Sequence, residues 1–169
     1  MATTYTLIDK TILTGSQASV TFTSVDQTYT DLSLKVSARS NKAGQVYEII
    51  KLNFNGLTTN QTSKWLEGAG SGTPTSSSAN FIYSFSAGDG ATSNTFASTE
   101  FYIPNYTSSN YKSISSDAVG ENNATFALSG LFAGLWSSTS AITQIEVKPQ
   151  DGTAWLSGSS FYLYGIKNS

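Results

Sequence analysis

Neither cysteine nor histidine occurs anywhere in the 169 residues. Without cysteine there are no disulfides, no thiolate chemistry and no cysteine-held zinc or iron–sulfur centre. Without histidine the chain lacks the side chain that most often serves as general base, proton shuttle or transition-metal ligand. Most hydrolase mechanisms thereby lose their parts. Charge is also scarce: nine basic and eleven acidic residues make up 12% of the chain and leave a net charge of -2. The basic residues are scattered from Lys10 to Lys167, so no basic stripe can neutralise a phosphate backbone, and nucleic acid is not an expected partner. The N-terminal stretch has no positive n-region and the chain has no long apolar run, so neither a signal peptide nor a membrane partner is expected.

Serine and threonine together supply about 30% of the chain, which with low charge could suggest disorder, but disordered chains are poor in aromatic residues. Here Phe, Tyr and Trp reach 12%. Threonine itself suits a pleated surface, because its branched Cβ packs well there. The length is that of one domain able to bury a substantial core.

The apolar spacing is that of strands. Leu32, Leu34, Val36 and Ala38 alternate with Ser33, Lys35, Ser37 and Arg39, which predicts one buried and one polar face. Phe101 and Ile103 alternate with Glu100 and Tyr102, and Ile145 and Val147 alternate with Glu146 and Lys148. Further strands are expected at 5–13, 18–25, 46–54, 63–66, 81–85, 114–119, 124–135 and 160–166. Turn-forming residues separate them, among them Asn55-Gly56 and the hairpin-type steps Asp89-Gly90 and Asp151-Gly152. Within 124–135 the apolar phase switches between Phe126 and Leu128 on one side and Leu131, Ala133 and Leu135 on the other, which predicts a bulge at Gly130. Residues 68–78 are low in complexity and read as a mobile loop. No segment carries a sustained 3.6-residue period.

About ten short strands at this spacing predict an all-β fold: a single-domain, jelly-roll-like antiparallel β-sandwich. Residues 18–169 are expected to form it, with 1–17 as an N-terminal arm or first strand.

Candidate chemistry is thin. Asp117, Glu121, Asn122 and Asn123 offer oxygen ligands, but their spacing fits no EF-hand and a polar turn accounts for them. No two of the acids stand out as a glycosidase pair. The sequons at Asn60, Asn105 and Asn123 matter only in a secreted chain. The expectation is a protein that is not an enzyme and carries no metal or cofactor.

Aromatic residues are the better candidates for function. Tyr102, Tyr106 and Tyr111 crowd around Pro104-Asn105, and tyrosine, with an apolar body and polar tip, suits protein interfaces and sugar platforms as well as the end of a core. Trp65, Trp136 and Trp155, at or near strand ends, share that ambiguity. The last strand has Phe161 and Leu163 on one face and Tyr162, Tyr164 and Ile166 on the other, so it is expected to meet a second subunit on one of them. The expected interface residues are Tyr102, Tyr106, Tyr111, Trp155, Tyr162 and Tyr164.

Four stretches, TDLSLKVSAR, FYIPNYTSSNYKSISSDAVGENNAT, AGLWSSTSAITQIEVKP and SGSSFYLYGIK, resemble jelly-roll virion proteins of tailed bacteriophages, cyanophages among them. The resemblance runs from about Ala18 to the C-terminus. It implies a structural module of the virion: a capsid decoration (cement) protein that contacts the major capsid protein and itself, as a homotrimer, on the outer capsid surface. The alternative is a tail or fibre module that binds a host-surface glycan or receptor. The decoration role is favoured by size, since the sandwich fills the chain and leaves no shaft or separate attachment domain.

Overall fold

The computed structural model describes residues 4–70, 73–122 and 127–167, and among them are twelve strands and no helix. The strands are β1 (Tyr5–Ile12), β2 (Val20–Phe22), β3 (Asp31–Ala38), β4 (Tyr47–Phe54), β5 (Gln61–Gly68) and β6 (Thr75–Ala79), then β7 (Ile82–Ala87), β8 (Ala97–Ile103), β9 (Lys112–Glu121), β10 (Ala127–Trp136), β11 (Ile145–Pro149) and β12 (Ser160–Ile166). They form an eight-stranded sheet in the order β1-β12-β3-β8-β9-β10-β5-β6 and a four-stranded sheet in the order β2-β11-β4-β7. The protein is an all-β antiparallel sandwich.

The pairing is nested. Strand β1 pairs with β12, β2 with β11, β3 with β8 and β4 with β7, as when one long antiparallel hairpin is rolled up into a jelly roll. Two hairpins interrupt that scheme: β5–β6 lies between β4 and β7, and β9–β10 between β8 and β11. Both join the larger sheet and lengthen it by four strands. Residues 5–12 belong to this sheet as its edge strand.

The main core lies between the sheets. Leu32, Leu34, Ile50, Leu52, Phe54, Phe101, Ile145, Val147, Phe161 and Leu163 fill it, with Trp136 and Trp155 buried among them. Each such side chain contributes about 1.5–3 kcal/mol by leaving water. A second, smaller core forms where the added strands fold over β7. Tyr83, Phe85, Leu128 and Phe132 meet there, and Trp65 stacks on Tyr83 with ring centroids 4.1 Å apart.

This fold-over also solves an edge problem. An uncovered strand presents unpaired backbone groups, and β7 is the edge of the smaller sheet. The Ser63 hydroxyl donates to the Phe81 carbonyl at 2.7 Å and accepts from the Tyr83 N–H at 2.9 Å, while Thr99 Oγ1 donates to the Phe85 carbonyl at 2.6 Å. Replacing Ser63 by alanine leaves one buried donor and one acceptor without partners, so we predict a loss of about 2–4 kcal/mol in urea unfolding. A loss under about 0.5 kcal/mol would show that the added strands do not protect this edge.

Several expectations need correction. Residues 68–78 are not one loop, because Thr75–Ala79 forms β6 against β5; Ser71 and Gly72 lie outside the described residues. There is no bulge at Gly130. The pairing of β10 with both neighbours runs without a register shift, and the even-numbered residues Leu128, Gly130, Phe132, Gly134 and Trp136 face inward throughout. A side chain at Gly130 would lie 2.5 Å from the Phe132 ring, so the ring occupies the space that a larger inward residue would need. Phe126, part of the predicted phase switch, lies outside the described residues.

Neither Asp-Gly step forms a two-residue hairpin turn, since both lie in longer connections, 88–96 and 150–159. At the second, the buried Glu48 carboxylate accepts from the Gly152 N–H at 2.6 Å, so close that a Cβ there would clash. Asn55-Gly56 is a tight turn as predicted, with φ of 54° and 72° and the Leu57 N–H donating to the Phe54 carbonyl at 2.9 Å. Arg39 does not continue the solvent-facing row of β3. It is buried and bonded to carbonyls of the 88–96 connection.

Candidate functional site

Register fixes what each sheet shows to solvent, because residues directly opposite one another on paired strands share a face. On the outer face of the larger sheet, one row of neighbours runs Ser76, Leu66, Leu131, Asp117, Glu100, Lys35, Tyr162, Lys10 from β6 to β1. The next runs Ser78, Lys64, Ala133, Ser115, Tyr102, Ser33, Tyr164, Leu7. Most of the exposed large apolar side chains of the described residues lie on this face: Tyr5, Leu7, Ile12, Tyr102, Leu66, Val119 and Leu131.

Five of these residues form two fields at the ends of the face, with a mostly polar band between them in which Tyr102 and Val119 stand singly. At one end Tyr5, Leu7 and Ile12 of β1 stand beside half-buried Tyr162 and Tyr164, and Tyr5 meets Tyr164 edge-on at 6.4 Å. At the other end Leu131 is 64% exposed and stands directly opposite Leu66, which is 50% exposed. The polar residues of the band are Lys35, Ser98, Glu100, Ser115 and Asp117; Ser33, expected in the solvent-facing row of β3, is on this face but buried, donating its hydroxyl to Glu100 at 2.7 Å. Within the band Lys35 pairs with Glu100 at 3.1 Å, and the Glu100 hydrogen bond raises the lysine's pKa against the opposing effect of burial. The smaller sheet is different: its outer face carries Thr21, Glu146, Lys148 and Lys51 on β2, β11 and β4 with Asn53 buried among them, and the apolar Tyr47 and Ile49 of β4 on that face are half-buried against the second core.

The expected interface residues divide. Tyr102 and Tyr111 are exposed, and Tyr162 and Tyr164 are half-buried on the outer face. Tyr102 is held in place by donating its hydroxyl to Asp31 at 2.7 Å, and that bond, helped by burial, pushes its pKa up to about 12. Asp31 also accepts from the Asn105 N–H at 2.8 Å and so anchors the turn after β8. Tyr106 and Trp155 are corrections: both are fully buried in the main core and can touch no partner. The Tyr106 hydroxyl donates to the Asp26 carbonyl, and Trp155 Nε1 to the Val147 carbonyl at 3.1 Å. Ile166 stays on the second face of β12, opposite Tyr5, but is buried there and adds no exposed apolar surface.

Among the described residues no group of three or more His, Cys, Asp or Glu side chains is placed to hold a metal ion. Asp117 and Glu121 are not in a turn, as expected, but on β9, both pointing outward; Asn123 lies outside the described residues. The most enclosed cation, Lys112, is structural: its ammonium donates to the carbonyls of Ser108, Ser138 and Ser140 at 2.7, 3.3 and 2.6 Å, and burial lowers its pKa.

The signal for the tyrosine field was in the alternation of β12. The Leu66–Leu131 field was concealed, because leucines on a strand read first as core. No helix of the described residues is long and apolar enough to cross a membrane. No family model, no curated protein and no solved structure matches the chain.

Proposed function

We propose that this chain is a non-enzymatic structural protein of a bacteriophage virion, most simply a decoration protein that binds the outer capsid surface and bridges capsomers as a homotrimer. The observation that carries the proposal is the contrast between the two outer faces: most of the exposed large apolar side chains of the described residues lie on the larger sheet, and none lies on a strand of the smaller one. Contiguous apolar fields on a folded domain mark contact surfaces. A shell under internal pressure fails where capsomers separate, and a module that opposes separation needs area and multiplicity rather than chemistry. The resemblance of the sequence to phage virion proteins supplies the setting.

A tail or fibre module that stacks sugars on aromatic rings is less well supported. Trp136 and Trp155 are enclosed in the core and Trp65 is stacked on Tyr83, so the best sugar platforms are occupied. The experiment that separates the two is a quantitative gel of purified particles, in which hundreds of copies mean decoration and a few to a few dozen mean tail. Sedimentation tests the association: Tyr164→Ala is predicted to weaken the homo-oligomer by roughly 1–4 kcal/mol with strand content unchanged. Unchanged association with a lowered melting temperature would place Tyr164 in the monomer's packing instead.

A further inference from the structure

A second contact, separate from the tyrosine field and independent of the virion reading, is written into the outer face of the added strands. Leu131 stands opposite Leu66 on β5 and opposite Asp117 on β9, while Lys64 stands opposite Ala133, one outward position along. The leucine pair is therefore flanked on one diagonal by a cation and an anion. All four side chains are exposed. No ion pair joins Lys64 or Asp117 to another described residue. Asp117 also lies directly opposite Glu100, a like-charge arrangement that costs stability on a sheet; Lys35 meets Glu100 at 3.1 Å, while Asp117 has no ion pair among the described residues.

A two-fold axis lying in the plane of this face and crossing that diagonal has a definite result. It lays Leu66 and Leu131 of one copy on Leu131 and Leu66 of the other. It also carries each Lys64 to the other copy's Asp117, making two equivalent ion pairs around an aliphatic centre. Ala133, small and beside both, leaves room for the approach. Self-complementarity of this kind is what an isologous interface requires. We infer that the Leu66–Leu131 ridge is a two-fold contact between copies of this chain, closed by reciprocal Lys64–Asp117 pairs. In an assembly whose tyrosine field forms a ring, this contact would join one ring to the next.

Sedimentation of the full chain and five variants, from micromolar to about 100 μM, tests it. Leu131→Asp should weaken the two-fold association by about 30-fold or more. Lys64→Asp and Asp117→Lys should each weaken it by about tenfold or more, and the double variant Lys64→Asp/Asp117→Lys should restore it to near the starting affinity, because the pairs re-form with reversed sign. Circular dichroism of each variant confirms that the strands are intact, and Tyr164→Ala should leave this contact unchanged. Three results each overturn the inference: no association of the parent chain across the range, association indifferent to Leu131→Asp, or single-variant losses that the double variant does not recover.

Discussion

Replacing Arg39 by methionine is expected to destabilise the protein by about 3–5 kcal/mol, although the arginine lies on no predicted site. Its guanidinium donates to the carbonyls of Asp89, Ala91 and Thr92 at 2.7, 2.8 and 2.9 Å and lies 3.5 Å from the Asp89 carboxylate. The 88–96 connection has little apolar content of its own, and these bonds close it over the end of β7. Methionine fills much the same volume, so the loss is electrostatic: the carbonyls keep their burial and lose their donor. Arg39→Lys should recover only part of the stability, because one ammonium cannot span three carbonyls set for a planar fork. Hydrogen exchange should show residues 88–96 opening first in Arg39→Met. A variant that melts within about 1 kcal/mol of the parent would refute this account.

Much of the fold is legible from the sequence, because alternation of side chains is a local signal. Strands β3, β8, β11 and β12 announce themselves through it, and so does the all-β class. Strand β6 does not. TSSSA has a single apolar residue, Ala79, at its end and so no alternation to mark a face, and it is a strand only because β5 offers it a pairing edge. β10 misleads for a different reason. Its inward positions include Gly130 and Gly134, emptied for the Phe132 ring and for Ile82, so the visible apolar phase belongs to the outward residues Leu131 and Leu135. The nested pairing is beyond local signals altogether, since β1 and β12 meet across nearly the whole chain.

The candidate surface was half legible for a related reason. Tyrosine fits a core as well as a surface, and nothing local separates Tyr102, which is exposed with its hydroxyl on the buried Asp31, from Tyr106, four residues on and fully buried. The turn after β8 decides between them by reversing the chain into the core. The Leu66–Leu131 ridge arises only when two inserted hairpins come together in one sheet. Those insertions serve two ends at once: their inner faces cover the β7 edge, and their outer faces present the ridge.

Alkali should unfold this protein through its buried phenols. Burial drives the pKa of Tyr106 up to about 12 and that of Tyr83 higher still, and the Asp31 hydrogen bond takes Tyr102 to about 12. A phenol whose folded pKa lies above its ordinary value of about 10 contributes stability that is fully present below pH 10. Between about pH 10 and 12 the unfolded chain releases protons that the folded chain keeps, so stability falls as pH rises. Lys51 and Lys112 act in the opposite sense. Burial lowers both, with Lys148 adding repulsion at Lys51, so their cost is relieved as pH approaches 10.5. Unfolding free energy should therefore be greatest near pH 10 and collapse above it. Tyr106→Phe isolates one contribution: it should cost about 1 kcal/mol at neutral pH through the lost bond to Asp26, and remove on the order of 2 kcal/mol from the fall above pH 10. Urea titrations of parent and variant from pH 8 to 12 read both effects, and parallel curves above pH 10 would show that the Tyr106 phenol does not drive the alkaline transition.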